Sequence, residues 1–410
     1  MSSVNVSNNF RNNTSVVESF RYLGIAIGMF DILAGTAGNI LTIVAILKNR
    51  HLCKQPFNMF IVNLSVIDLL TACFMMPFNV LGYVLMDWPF SEYACILQAF
   101  FYFCCGYTSI VCLVAITINR FVGVVFPDRY HVYFTINTVR FNLFICWLVA
   151  PALLFPFLVI SLLSHANGNK PITGWNDKQL LCTFISLPQP WLAYMKIIRG
   201  IFQFLPTFLM VAGYSTMQYY VHKSNKRHLR NVKECAKYTE QILRKHSALE
   251  TSRSDSMIRI EERSGPATNW EEKMTSRSLR RTFSEDNHNT RNHSHHHEKF
   301  KKSLKCRNHS AQIRRHSETH LMYLSITICS TFTLLFFPSM AINLMQNSQS
   351  FDPRVHMAAS NVTWLNSCVN PIIYVILHKG MRKEYKEILK QFSAWLRRRF
   401  CMTEVKRLEN

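Results

Sequence analysis

Acidic residues are scarce: 24 Asp and Glu stand against 46 Lys and Arg, and charged residues of either sign make up only 17% of the 410. The basic surplus lacks a folded domain to display it, which excludes a nucleic-acid-binding protein. The first 21 residues lack the apolar core of a cleavable signal, so the first apolar run is expected to act as a signal anchor. No half of the chain echoes the other, which argues against a transporter built from repeats. Catalytic pairs are missing as well. Asp31 and Asp68 are the clear acids of the first three apolar runs. With Asp31 expected in the outer half of a bilayer and Asp68 near its middle, they stand too far apart for one active site. That speaks against an intramembrane enzyme and leaves a multi-span transporter or channel as the second reading.

What the chain has is apolar length. Hydrophobic residues make up 49%, aromatics 13%, and the mean hydropathy is +0.05 despite a long polar insertion. Seven runs of spanning length lie at 22 to 47, 57 to 85, 95 to 126, 141 to 163, 197 to 221, 321 to 346 and 355 to 377. The reading is an all-α membrane protein, a seven-helix bundle followed by a short amphipathic helix on the membrane surface. The link after run one carries Lys48, Arg50 and Lys54 without an acid, whereas the link after run two carries Asp87 and Glu92 without a base. Positive links stay inside. The amino terminus is therefore expected outside and the carboxyl terminus in the cytoplasm.

This topology divides the chain into an outer tail (1–21), spans one to five (22–221), a cytoplasmic loop (222–317), spans six and seven (318–378) and a cytoplasmic helix and tail (379–410). Asn5 and Asn12 head glycosylation sequons in the outer tail. Of 13 cysteines, only Cys95 and Cys182 fall on the oxidising side, so a bridge between them is expected. In the cytoplasmic loop, the segment to Glu250 is expected to prolong run five as a helix. From Thr251 to Ser317 the composition cannot bury a core, so disorder is expected there. Two short motifs there, ending at Ser284 and Ser317, resemble basophilic kinase sites, and His295 to His297 read as a solvated run. From Met381 to Phe400, Tyr385, Ile388, Leu389, Phe392 and Leu396 recur at helical spacing among Lys and Arg, the pattern of a helix lying on membrane lipids. Cys401 just beyond is a candidate for palmitoylation.

Run three carries an arginine near its inner end. An arginine in such a run costs several kcal/mol unless it faces protein or water. At ~1.5 Å per residue, Cys95 and Arg120 lie roughly 37 Å apart on one helix, the depth of a bilayer with its interfaces. One face of the run reads Tyr102, Gly106, Ser109, Leu113, Ile116, Arg120, and its outer members are expected to line a ligand site. Arg199, among apolar residues of run five, is a candidate partner for an anionic group.

Gly38-Asn39, Leu64-Ser65 with Asp68, Cys95 with Cys182, Asn119-Arg120-Phe121, Trp147, Pro206 with Tyr214, Phe332 with Pro338, and Asn366 through Tyr374 follow in the order of the landmarks of rhodopsin-like G-protein-coupled receptors. The chain resembles that family across all seven spans. The asparagine before Arg120 is similar to melatonin receptors and to the moody and trapped-in-endoderm group. The resemblance implies a receptor, not an enzyme, at the plasma membrane. Its partners would be a heterotrimeric G protein, arrestin, receptor kinases and an unknown ligand. It implies a sodium ion held by Asp68, Ser109, Asn366, Ser367 and Asn370, and no other metal or cofactor. Ile110, Pro206 and Phe332 resemble the packing switch below the ligand. Arg120, Tyr214, Pro371 and Tyr374 resemble the elements that rearrange to admit the G protein, and Glu318 matches the acid that pairs with Arg120 in the off state. The ligand pocket is expected at Tyr102, Phe103, Gly106, Arg199, Phe202, Phe336, Ser339, Asn343, Ser360 and Trp364.

Three departures from the family pattern matter. Asn119 replaces an aspartate, so Arg120 is expected to lose a restraining carboxylate and lean on Glu318. Phe336 replaces the tryptophan that floors the pocket, and Phe121 replaces a tyrosine. Tyr102 stands where amine receptors carry an aspartate, and Trp364 where opsins carry a lysine, which argues against a biogenic amine and against retinal.

Overall fold

The computed structural model describes residues 2–177, 179–263, 319–342 and 352–408. Among these, six helices are long and apolar enough to cross a membrane unaided. They are α1 (Ser2–Lys48, apolar from Phe20), α2 (Pro56–Leu85), α3 (Glu92–Val125), α4 (Ile136–Ala166), α5 and α6 (Thr319–Ile342). α5 runs Gln189–Arg199, passes through a π turn at Gly200–Phe204 and continues as Leu205–Arg263. Two expectations shift here. Helical backbone reaches Ser2, where a polar tail is expected, and α5 continues past Glu250 to Arg263. The chain divides into two compact units, one of Met1–Met217 with His320–Asn410 and one of Gln218–Thr319.

The seventh span is not one helix. It is divided at Leu365 into α7 (Pro353–Trp364) and α8 (Asn366–Leu377), each too short to span alone. The Leu365 carbonyl takes the amides of both Cys368 (3.2 Å) and Val369 (3.1 Å), a tighter turn than an α-helix makes. One turn later Pro371 has no N–H to give the Ser367 carbonyl. Asn39 on α1 supplies the missing donor: its Nδ2 bonds the Ser367 carbonyl at 2.8 Å and the Gly35 carbonyl at 2.9 Å. α1 comes this near through small residues. A Cβ on Gly38 would stand 2.8 Å from two Pro371 ring carbons, and one on Gly35 would stand 3.1 Å from Ala72 Cβ on α2.

At the other end of α8 the chain turns at His378, whose Nδ1 accepts the Met381 amide (3.1 Å) and starts α9 (Lys379–Leu408). α9 is fastened to α1: Thr42 and Tyr385 hydroxyls meet at 2.6 Å, Asn49 donates to Glu384 at 2.9 Å, and Lys48 donates to Gln391 at 2.6 Å. Met381 and Tyr385 are buried against the bundle, while Leu389, Phe392 and Trp395 stay exposed, as an apolar face kept for lipid requires.

Between α4 and α5 a two-stranded hairpin, β1 (Thr173–Asn176) and β2 (Leu181–Phe184), pairs antiparallel with Trp175 opposite Cys182. Cys182 is bridged to Cys95 near the start of α3, with 5.4 Å between Cα atoms. β2 is thereby laid over the hairpin end of the bundle, where Phe184 stacks on Phe103 at 5.2 Å. The hairpin has no helical or transmembrane pattern and is not read from the seven runs.

The tight α1–α8 seam yields a stability prediction. Gly38→Val must push Pro371 aside, and overpacking of this kind costs about 1–3 kcal/mol. A lowered melting temperature of the purified protein is expected, and an unchanged one would show that the seam yields freely.

Candidate functional site

A cavity of about 220 Å³ lies beneath the hairpin. α3 gives it Tyr102, Phe103, Gly106, Tyr107 and Ser109; α5 gives Arg199 and Gln203; α6 gives Phe336 and Ser339; α7 gives His356, Ser360 and Trp364. Thr183 and Phe184 of β2 form part of the roof, and Asp68 with Asn366 and Ser367 lie at the deep end. The helical face expected on run three therefore does open into one space. Phe202 does not line it. The π turn places Arg199 and Gln203 on the wall and leaves Phe202 buried behind Tyr107, ring on ring at 4.4 Å and 3°. Phe336, in the floor position, stacks on Phe332 at 4.2 Å. Ser339 bonds the Ala359 carbonyl (3.1 Å) and the Thr363 hydroxyl (2.8 Å), tying α6 to α7. Tyr107, Gln203, His356 and the hairpin residues were missed. The hairpin's share cannot be found by helical spacing, whereas Tyr107 and His356 are polar tips in apolar runs and carried a signal.

At the deep end Asn370 donates to Asp68 Oδ2 at 2.8 Å. Asp68 is 1% exposed and its Oδ1 accepts no hydrogen bond. Ser109, Asn366 and Ser367 face the same space, so an oxygen-rich recess exists here in which one carboxyl oxygen accepts no hydrogen bond. Those donors fit a hard monovalent cation. Asp31 is a second buried acid, with neither oxygen hydrogen-bonded. The Cys368 thiol beside it gives its proton to the Leu365 carbonyl at 3.2 Å. Asp31 and Asp68 act on each other electrostatically. The close α1–α2 packing at Gly35 and Ala72 accounts for this.

At the far end of α3, Arg120 is 3% exposed. Its Nε and Nη2 donate to Asn119 Oδ1 at 3.1 and 2.7 Å, Nη2 also donates to the Tyr130 hydroxyl at 3.0 Å, and its guanidinium lies 4.5 Å over the Phe57 ring. Asn119 Nδ2 donates to the same hydroxyl at 3.2 Å. Asn119 thus keeps a hydrogen-bond restraint on Arg120 and gives up only the charge, a smaller loss than the missing carboxylate suggests. Phe121 packs edge-on to Phe126 at 6.1 Å. Ile110, Pro206 and Phe332 are buried, as are Tyr214 and Tyr374. Trp147 on α4 donates to Asn63 on α2 at 2.8 Å. Glu318, Asn343, Ser284 and Ser317 lie outside the described residues, as do the side chains of Asn5, Asn12 and Cys401.

The family model of the seven-transmembrane receptors of the rhodopsin family matches residues 38–374. The chain belongs to the rhodopsin family. The receptor is 24% identical over 400 residues to G-protein coupled receptor 84 of Bos taurus, covering 92% of this chain and 94% of that one. It is 23% identical over 366 residues to G-protein coupled receptor moody of Drosophila melanogaster, covering 87% of this chain and 49% of that one. With the Alpha-1A adrenergic receptor of Oryzias latipes it shares 28% over 243 residues, 58% of this chain and 47% of that one. Family membership makes the chain a multi-pass membrane receptor that signals through G proteins, and not an enzyme.

Tyr130 is the residue at the G-protein end that the runs did not reveal, because it lies in a short helix, Tyr130–Tyr133, beyond run three. Tyr130→Phe removes the hydroxyl shared by Asn119 and Arg120. A hydrogen bond to a charged group contributes about 1.5–3 kcal/mol, so ligand-independent G-protein activation is expected to rise roughly tenfold or more. An unchanged basal level, normalised to surface expression, would place the restraint elsewhere.

Proposed function

We propose that the receptor sits in the plasma membrane with its amino terminus and hairpin outside, and takes a small, partly apolar anionic ligand into the cavity. The observation that carries this is the wall itself. Arg199 supplies a cation, aromatic rings of Tyr102, Phe103, Tyr107 and Phe336 supply the apolar surface, and Asp68 at the deep end is the carboxylate among the lining residues. Tyr102 offers no charge to an amine. Loading the cavity shifts Phe336 and its stacked neighbour Phe332, the packing switch completed by Ile110 and Pro206. α6 then moves relative to α3, and the G protein enters at Arg120.

Asp68, Ser109, Asn366, Ser367 and Asn370 would hold a sodium ion in the resting state, where its charge neutralises the buried carboxylate. Glu318 would add an ionic restraint on Arg120 to the bonds from Asn119 and Tyr130. Phosphorylation of Ser284 or Ser317 by basophilic kinases would add negative charge beside the G-protein face, and receptor kinases and arrestin would be further partners. Cys401, if palmitoylated, would pin the end of α9 to membrane lipids, and sugars at Asn5 and Asn12 would cover the outer tail. The rhodopsin-family match leaves the transporter and channel reading without support.

The test is a screen of lipids, fatty acids, indoles and peptides against a panel of G-protein reporters, repeated with Arg199→Ala. A charge-assisted contact contributes about 1.5–3 kcal/mol, so anionic agonists are expected to lose roughly 10- to 100-fold in potency while neutral agonists keep theirs. Equal loss for both, or none, would reject the arginine anchor. In the same reporters Glu318→Ala is expected to raise basal signalling.

A further inference from the structure

Three polar groups from three helices meet in a largely apolar layer between the packing switch and Arg120. The Tyr214 hydroxyl on α5 lies 3.3 Å from the Cys329 thiol on α6 and 3.3 Å from the Thr117 hydroxyl on α3, and Thr117 stands 3.8 Å from Cys329. All three are buried, with exposures of 7%, 3% and 5%. Leu113, Ile116, Met217 and Ile328, each at 0% exposure, belong to the same layer. A phenol hydroxyl in such surroundings loses its water and must find partners within the protein.

The approach of the helices is built for this contact. α5 comes against α3 at Gly213, where an added Cβ would stand 3.1 Å from Thr117 Cγ2. Thr117 is three residues before Arg120, so the meeting point lies one turn from the residue that answers to the G protein. On α6, Ser325 gives its proton to the Leu321 carbonyl of its own helix at 2.9 Å. Its hydroxyl oxygen also lies beside the Tyr214 phenol, and Cys329 is the α6 group in contact with both Tyr214 and Thr117. A thiol is a weak donor and a weak acceptor, so its hold on the phenol is readily broken.

We propose that Cys329 is a positioning residue: its thiol keeps the Tyr214 hydroxyl between α3 and α6 and restrains α6 until activation pulls the two apart. The proposal rests on the receptor reading and adds to it a restraint independent of Arg120. Nothing is oxidised and no bond other than hydrogen bonds changes. Serine at this position would keep the contact, alanine would lose it, and Thr117→Val would weaken it from the other side.

The experiment uses the full chain. Ligand-independent G-protein activation, normalised to surface expression, is measured for Cys329→Ala, Cys329→Ser and Thr117→Val. Hydrogen exchange across Thr319–Ile342 is measured on the purified proteins. Loss of one neutral hydrogen bond predicts a rise of about twofold to tenfold in basal signalling for Cys329→Ala, a smaller rise for Thr117→Val, and the parent level for Cys329→Ser. Exchange in α6 is expected to speed up in the same order. Equal effects of alanine and serine, or parent-like signalling and exchange in both Cys329→Ala and Thr117→Val, would overturn the clasp. Faster exchange with every reporter silent in parent and variants would uphold the clasp and refute the signalling reading.

Discussion

The carbonyl of Ser367 has no helical donor because Pro371 stands where that donor would be, and in the interior of a membrane protein such a group must be met by another side chain. Asn39 meets it. To do so α1 must come within van der Waals distance of α8, which is why glycine occupies positions 35 and 38. With α1 in place, α8 is held at the angle that lets Asn370 reach Asp68 on α2, and Asn366 and Ser367 turn toward the same recess. One unpaired oxygen thus fixes three helices and the polar centre of the bundle.

Around that centre the receptor keeps its polar contacts weak. Asn119 holds Arg120 with an amide oxygen, Tyr130 shares one hydroxyl between two donors, and Tyr214 leans on a thiol. Each is one or two hydrogen bonds, worth about 1.5–3 kcal/mol where Arg120 is the donor and less where the partners are neutral. A bundle closed by several modest bonds can be opened by the differential affinity of a small ligand, since the ligand need only exceed their sum.

The seven spans were legible because a bilayer demands unbroken apolar length, and the polar centre was legible because Asp68, Asn366 and Asn370 stand out in apolar runs. The disulfide followed from the side of the membrane on which each cysteine falls. What sequence could not convey was local geometry. A composition scan sees run seven as continuous, while the turn at Leu365 depends on two amides converging on one carbonyl. Phe202 was expected on the wall from the resemblance, and the structure instead stacks it behind Tyr107, within the π turn at Gly200–Phe204. Asn119 looked like a lost restraint because its charge was counted and its oxygen was not. Tyr130 and the hairpin lie outside the runs, and their partners are set by tertiary contacts alone.

The hairpin is bound twice to α3, by the bridge at Cys182 and by Phe184 stacked on Phe103, and neither attachment involves α6. Among the described residues, the roof of the cavity is thus held by α3 without α6. Departure of a ligand past the lid and closure of the opposite end become separate events with separate clocks. In the receptor proposed here, residues of the hairpin would set how long a ligand stays and residues of α6 would set how strongly it couples.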